Sequence, residues 1–127
     1  AGRDLTIVSY ASMVHTSLEA AEKLAKEDGL ECEVIDLRTL LPLDKETILN
    51  SVRKTNKLLV VHEDTRTGGI AGEIAAIVME EAFDQLDAPM LRVTSLDTSV
   101  PFSPPLEAYF MPNVEKVVAS ARQLASY

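Results

Sequence analysis

Cysteine is almost missing from this chain of 127 residues: there is one, Cys32. A single cysteine cannot close an intrachain disulfide, so packing has to hold the fold, and a reducing, cytosol-like compartment is expected. A domain of this length buries roughly two thirds of its unfolded surface, enough to stand without a staple. Positive charge is also scarce. Twelve Lys and Arg face 20 Asp and Glu, giving a net charge of −8 and a pI near 4.7. That balance argues against non-specific binding to nucleic acid or to an anionic membrane, and leaves basic protein partners open. Apolar runs are short, far below the roughly 20 residues that span a bilayer. No leader is expected before the first apolar run, since Ala1-Gly2-Arg3-Asp4 leads straight into it. The chain does not begin with Met, and processing or excision from a longer chain is expected.

Signatures of covalent chemistry are lacking too. Ser9, Ser12 and Ser17 sit in no G-x-S-x-G elbow, and no G-x-x-x-x-G-K-[ST] phosphate loop occurs. Cys32 falls in an alternating apolar segment, which predicts an unreactive thiol in mid-strand. Histidine occurs twice, at positions 15 and 62.

What is present is a regular alternation of elements. Leu58-Leu59-Val60-Val61 is apolar without a break, as in a strand buried on both faces of a parallel sheet. His62-Glu63-Asp64 ends it, Thr67-Gly68-Gly69 breaks the regularity, and helical spacing runs from Ile70 to Phe83. Upstream, Leu5–Ser9 and Cys32–Leu37 read as strands. Between them a helix puts Val14, Leu18, Ala21 and Ala25 on its apolar face and stops at Asp28-Gly29. Asp44 caps a second helix with Ile48, Leu49 and Val52 inward, ended by Thr55-Asn56-Lys57. The helix after Gly69 turns Ile70, Ile74, Ile77, Val78 and Ala82 inward, and 90–95 form a fourth strand. A last helix opens at Pro112-Asn113 and buries Val114, Val117, Val118, Ala121 and Leu124. Such β-α alternation predicts one α/β domain over 1–127: a three-layer α/β/α sandwich on a mostly parallel sheet.

Three stretches could carry function. Thr67-Gly68-Gly69-Ile70-Ala71-Gly72 follows a strand and opens a helix, the context of a dinucleotide turn. Gly68, Gly69 and Gly72 either let helix and sheet pack closely or leave room for an anion at the helix N-terminus. His62 and Glu63 point to opposite sides of an extended segment and cannot easily chelate one ion. His62 reads as a hydrogen-bonded structural or interface residue, or, with His15 near the end of a neighbouring strand, as part of a two-histidine metal site. Residues 97–105 hold three of the six prolines in Pro101, Pro104 and Pro105, and 97–112 also hold Phe102, Tyr109, Phe110 and Met111. An ordered proline-rich arm with clustered aromatics either covers a sheet edge or anchors a partner.

Four segments together resemble one family: Asp4-Leu-Thr-Ile-Val-Ser-Tyr-Ala, Glu33-Val-Ile-Asp-Leu-Arg-Thr-Leu-Leu-Pro-Leu-Asp, Val61-His-Glu-Asp-Thr-Arg-Thr-Gly-Gly and Asp97-Thr-Ser-Val-Pro-Phe-Ser-Pro-Pro-Leu-Glu. In this order they resemble the transketolase C-terminal-like domain of the E1 β subunit of 2-oxo acid dehydrogenase complexes. The resemblance implies a sheet of order 2-1-3-4, with an antiparallel edge strand upstream of Asp4. It implies a parent enzyme that uses thiamine diphosphate and Mg²⁺ to decarboxylate a 2-oxo acid and acylate a lipoyl group on the E2 component. It implies no catalytic, cofactor or metal residue in this stretch, because the diphosphate–metal motif of heteromeric members lies on the α subunit. The implied partners are the E1 α subunit, a second E1 β and the E2 peripheral subunit-binding domain. Interface candidates are His62, Glu63, Asp97, Pro101, Phe102, Tyr109, Phe110 and, toward the E2 component, Tyr127. The compartment implied is a bacterial cytoplasm or the mitochondrial matrix. The competing reading is an independent flavodoxin-like domain that binds a nucleotide or anion at Gly68–Gly72.

Overall fold

The structure is a computed structural model describing residues 2–11, 13–37, 44–65, 70–95 and 112–127. In chain order it contains β1 (Leu5–Ser9), α1 (Met13–Asp28), β2 (Cys32–Asp36), α2 (Lys45–Thr55), β3 (Leu58–Thr65), α3 (Ile70–Glu81), a 3-10 turn (Phe83–Gln85), β4 (Leu91–Ser95) and α4 (Val114–Ala125). The four strands form one sheet in the order β2-β1-β3-β4, and every pairing is parallel.

Successive residues of a strand face opposite sides, and both faces of this sheet are covered. Leu5 and Ile7 of β1 and Leu59 and Val61 of β3 pack with Ala20 and Leu24 of α1 and with Val117, Val118, Ala121 and Leu124 of α4. Val8, Leu58 and Val60 face the other way, onto Ile48, Leu49 and Val52 of α2 and Ala71, Ile74 and Val78 of α3. This explains why Leu58–Val61 of the third strand reads as an unbroken apolar run.

The α2 side of the sheet also holds a buried polar cluster. Thr6 Oγ1 lies 2.7 Å from both Ser51 Oγ and Thr55 Oγ1, and Thr55 Oγ1 donates to Lys57 O. Serine and threonine one turn apart on α2 thereby reach a single strand threonine, satisfying three hydroxyls that would otherwise be costly to bury.

The helix ends are capped as expected. Asp44 accepts from Thr47 N–H and Thr47 Oγ1, and Asn113 accepts from Lys116 N–H. Asn56 closes α2 in the left-handed region at φ 64°. Gly29 follows α1 at φ 67°, where the lack of a Cβ removes the usual strain.

Three expectations change. The buried stripe of α1 is Ser17, Ala20 and Leu24, and Leu18 stands 49% exposed. The inner face therefore differs from the expected Val14–Leu18–Ala21–Ala25 face, because the true stripe begins with a serine and looks less apolar in sequence. Strand β3 does not stop at Val61 but runs on to Thr65 through the charged residues. Cys32 begins the edge strand β2 instead of lying in its middle, and is half-buried. Burial pushes its thiol pKa up to about 11, so it stays protonated and a poor nucleophile at neutral pH.

Candidate functional site

The strand order reverses direction between β1 and β3, and the carboxyl ends of these two strands mark the crevice where open α/β sheets bind ligands. Ser9 Oγ donates to Val61 O across that point at 2.8 Å. The next residue, Tyr10, places its ring over His62, with centroids 6.3 Å apart and 27° between the planes. Ala11 follows at φ 56°, a conformation that costs a non-glycine residue about 1 kcal/mol.

His62 is fully buried because β3 bulges there. Val61 pairs with Val93 and Thr65 with Ser95, so β3 takes four residues (65 − 61) to advance as far as β4 does in two (95 − 93). Extra residues of this kind bend a strand and re-aim its side chains. Here the result is an inward His62 and an outward, exposed Glu63. The imidazole is buried and stacks against Tyr10. His15 stands exposed on α1 and not at a strand end, so the two-histidine pairing is not formed.

Gly72 corrects the close-packing expectation. It is exposed on α3, and a Cβ built there would meet nothing within 4 Å among the described residues. Packing of α3 on the sheet therefore does not require glycine at 72. Gly68, Gly69, Asp97, Pro101, Phe102, Tyr109 and Phe110 lie outside the described residues.

Tyr127 sits at the opposite end of the sheet. The residue is 59% exposed, and its main-chain oxygen accepts from Lys57 Nζ at 3.2 Å. Lys57 precedes β3, so Tyr127 and His62 are separated by about five strand steps, roughly 17 Å. The predicted interface residues therefore form two separate places, with His62 and Glu63 at one end and Tyr127 at the other.

Among the described residues no three or more His, Cys, Asp or Glu side chains converge as a metal site. No described helix is long and apolar enough to cross a membrane.

Sequence reasoning missed the Tyr10–His62 stack, because the histidine counted as part of a charged turn. A charge signal was available for another region: residues 67–91 carry five acids and no Lys, Arg or His.

Comparison with known proteins places this geometry in a family. The family model described as the transketolase C-terminal domain matches residues 1–117. The 2-oxoisovalerate dehydrogenase subunit beta of Bacillus subtilis is 46% identical over 127 residues, which are 99% of this chain and 38% of that protein. The mitochondrial pyruvate dehydrogenase E1 component subunit beta of Dictyostelium discoideum is 46% identical over 123 residues, 97% of this chain and 34% of that protein. The solved structure of a split-gene transketolase, an inactive β4 tetramer, superposes with a TM-score of 0.85 at 28% identity, over 99% of this chain and 39% of that one. The chain thus spans little more than a third of the curated relatives it matches. With the family model covering most of its length and the 2-1-3-4 parallel sheet in place, the chain belongs to the transketolase C-terminal domain family, in the company of the β subunits of 2-oxo acid dehydrogenase E1 components.

Proposed function

We propose that this chain is the non-catalytic assembly domain of the β subunit of a thiamine diphosphate-dependent 2-oxo acid dehydrogenase E1. The parent enzyme decarboxylates a 2-oxo acid and passes the acyl group to a lipoyl group of the E2 component, in a bacterial cytoplasm or the mitochondrial matrix. The observation that carries the reading is the similarity of nearly the whole chain to E1 β subunits, of which it represents little more than a third. Thiamine diphosphate and Mg²⁺ belong to the parent assembly, and this domain contributes contact with the E1 α subunit and a second E1 β.

The packing supports a scaffold role. The sheet is covered on both faces, His62 is buried, and β2 is an outer strand of the described sheet. Residues 3 and 4 run beside the start of β2, where Arg3 and Asp4 N–H donate to Glu31 O. In the parent, the preceding segment is placed to add the antiparallel edge strand along β2. Tyr127, exposed at the far end, is the residue of this chain offered to the E2 peripheral subunit-binding domain.

The test is Phe102→Ala in the full-length parent. Subunit association, read by sedimentation, should weaken more than the thermal stability of residues 1–127 alone. Unchanged association with unchanged activity would remove the anchor role from the arm.

A further inference from the structure

We infer that Thr6, Ser51 and Thr55 form a hydroxyl chain whose direction is set by the charge of Glu33, a switch that carries a change at the outer strand β2 to the foot of β3. The register sets Glu33 beside Thr6 on neighbouring strands. Helix α2 reaches both. Lys54 Nζ donates to Glu33 Oε2, and Ser51 bonds to Thr6 Oγ1 at 2.7 Å and to the Glu33 carboxylate. Thr6 Oγ1 meets Thr55 Oγ1 at 2.7 Å, and Thr55 Oγ1 is placed to donate to Lys57 O at 3.1 Å. Thr6, Ser51 and Thr55 are all buried, so these protons have no water to turn to.

Counting protons gives the two states. Four contacts run in line: Glu33 to Ser51, Ser51 to Thr6, Thr6 to Thr55, and Thr55 to Lys57 O. Three hydroxyls hold three protons, and neither a carboxylate nor a carbonyl adds one. While Glu33 is ionised, one contact is therefore always empty. A bond to a charged acceptor is roughly twice as strong as one to a neutral acceptor. Ser51 then donates to Glu33, Thr6 to Ser51 and Thr55 to Thr6. The empty contact is the one from Thr55 to Lys57 O, the longest of the hydroxyl contacts given a distance. Lys57 O keeps the Thr6 N–H at 2.9 Å. A neutral Glu33 brings the fourth proton. The chain then reverses, from Glu33 through Ser51, Thr6 and Thr55 to Lys57 O, and every contact is filled.

Lys54 on α2 is the charged side chain that keeps Glu33 ionised, and the chain's amino terminus adds a weaker pull. Together with Ser51 they hold the Glu33 carboxyl below the usual carboxylate range, so at neutral pH the chain points toward Glu33. Delivery of a proton to Glu33 reverses it. The consequence appears at Lys57, whose Nζ donates to Tyr127 O at 3.2 Å. A charge change at the outer strand is thereby felt where the last helix returns to the sheet. The switch lies inside the domain and stands independently of the assembly reading.

The experiment is hydrogen exchange of the Thr6 amide, read by mass spectrometry in the full parent chain at neutral pH. Glu33→Gln gives Ser51 a neutral donor and stands in for protonated Glu33. Thr55→Val removes one hydrogen bond from the chain that points to Glu33, and two from the reversed chain. It should speed exchange about threefold by itself and about tenfold on top of Glu33→Gln, since each bond is worth a few-fold. Glu33 and Thr55 are linked through Ser51 and Thr6, so the difference between these two effects reports the chain. Adding Ser51→Ala cuts it, and should make the Thr55→Val effect the same with and without Glu33→Gln. Thr55→Ser keeps the hydroxyl and should exchange as the unmodified chain does. An equal Thr55→Val effect in the presence and absence of Glu33→Gln, or a difference that survives Ser51→Ala, would overturn the proposal.

Discussion

The two ends of the parallel sheet use their side chains in opposite ways. At the carboxyl end, Ser9 and His62 turn inward while Glu63 stays exposed. Ser9 bonds to the neighbouring strand, His62 is buried beneath Tyr10, and a bulge supplies the bend that puts it there. At the amino end, Tyr127, Phe83 and Met79 face water beside an acidic turn. In open α/β sheets the carboxyl end is the customary place for ligands. Here its described residues stabilise the fold, and the exposed chemistry suited to a partner lies at the other end.

The comparison breaks most directly at His62. His62→Ala removes a fully buried ring and should destabilise by about 2–4 kcal/mol, read by urea unfolding. A loss below about 0.5 kcal/mol would mean that the carboxyl end is not the cohesive one. Next is Thr6→Val, which leaves Ser51 and Thr55 without their shared partner and should cost about 1–3 kcal/mol. Gly72→Ala sharpens the contrast with the opposite sign. An exposed helical glycine with open space around it should gain about 0.5–1 kcal/mol on replacement, and a loss would restore the close-packing reading. The smallest effect is electrostatic. The Arg122 guanidinium, donating to Asp28 at 2.7 Å and 3.1 Å, holds that carboxyl below the usual carboxylate range. Lys54, with Ser51, does the same to Glu33. A carboxylate whose pKa is lowered by folding contributes stability above its unfolded value, and the contribution disappears as pH falls through the folded value. Stability should therefore drop on acidification below about pH 4. Arg122→Ala should shrink that drop slightly, since both partners are exposed.

Much of the fold was legible because it rests on local rules. The unbroken apolar run at Leu58–Val61 identifies a strand covered on both faces, and Asp44, Asn113 and Gly29 mark helix ends through single hydrogen bonds or a single dihedral. What escaped depends on pairs distant in sequence. Ser17 on the inner face of α1 looks polar in isolation, so the stripe was displaced toward Leu18. The extension of β3 through His62 and Glu63 requires β4 as a template, and no property of the charged segment alone announces it. The His62–Tyr10 stack joins residues 52 apart. The separation of Tyr127 from His62 follows from where α4 returns to the sheet, a matter of topology and not of motif.

The central claim is that this domain holds an enzyme together and takes no part in its chemistry. Thermal unfolding of residues 1–127 in the presence of thiamine diphosphate with Mg²⁺, and separately with a flavin or adenine mononucleotide, tests it most directly. The account predicts the same midpoint in every case. A rise of several degrees with either ligand, the size of shift that about 1–2 kcal/mol of specific binding produces in a domain of this length, would contradict it.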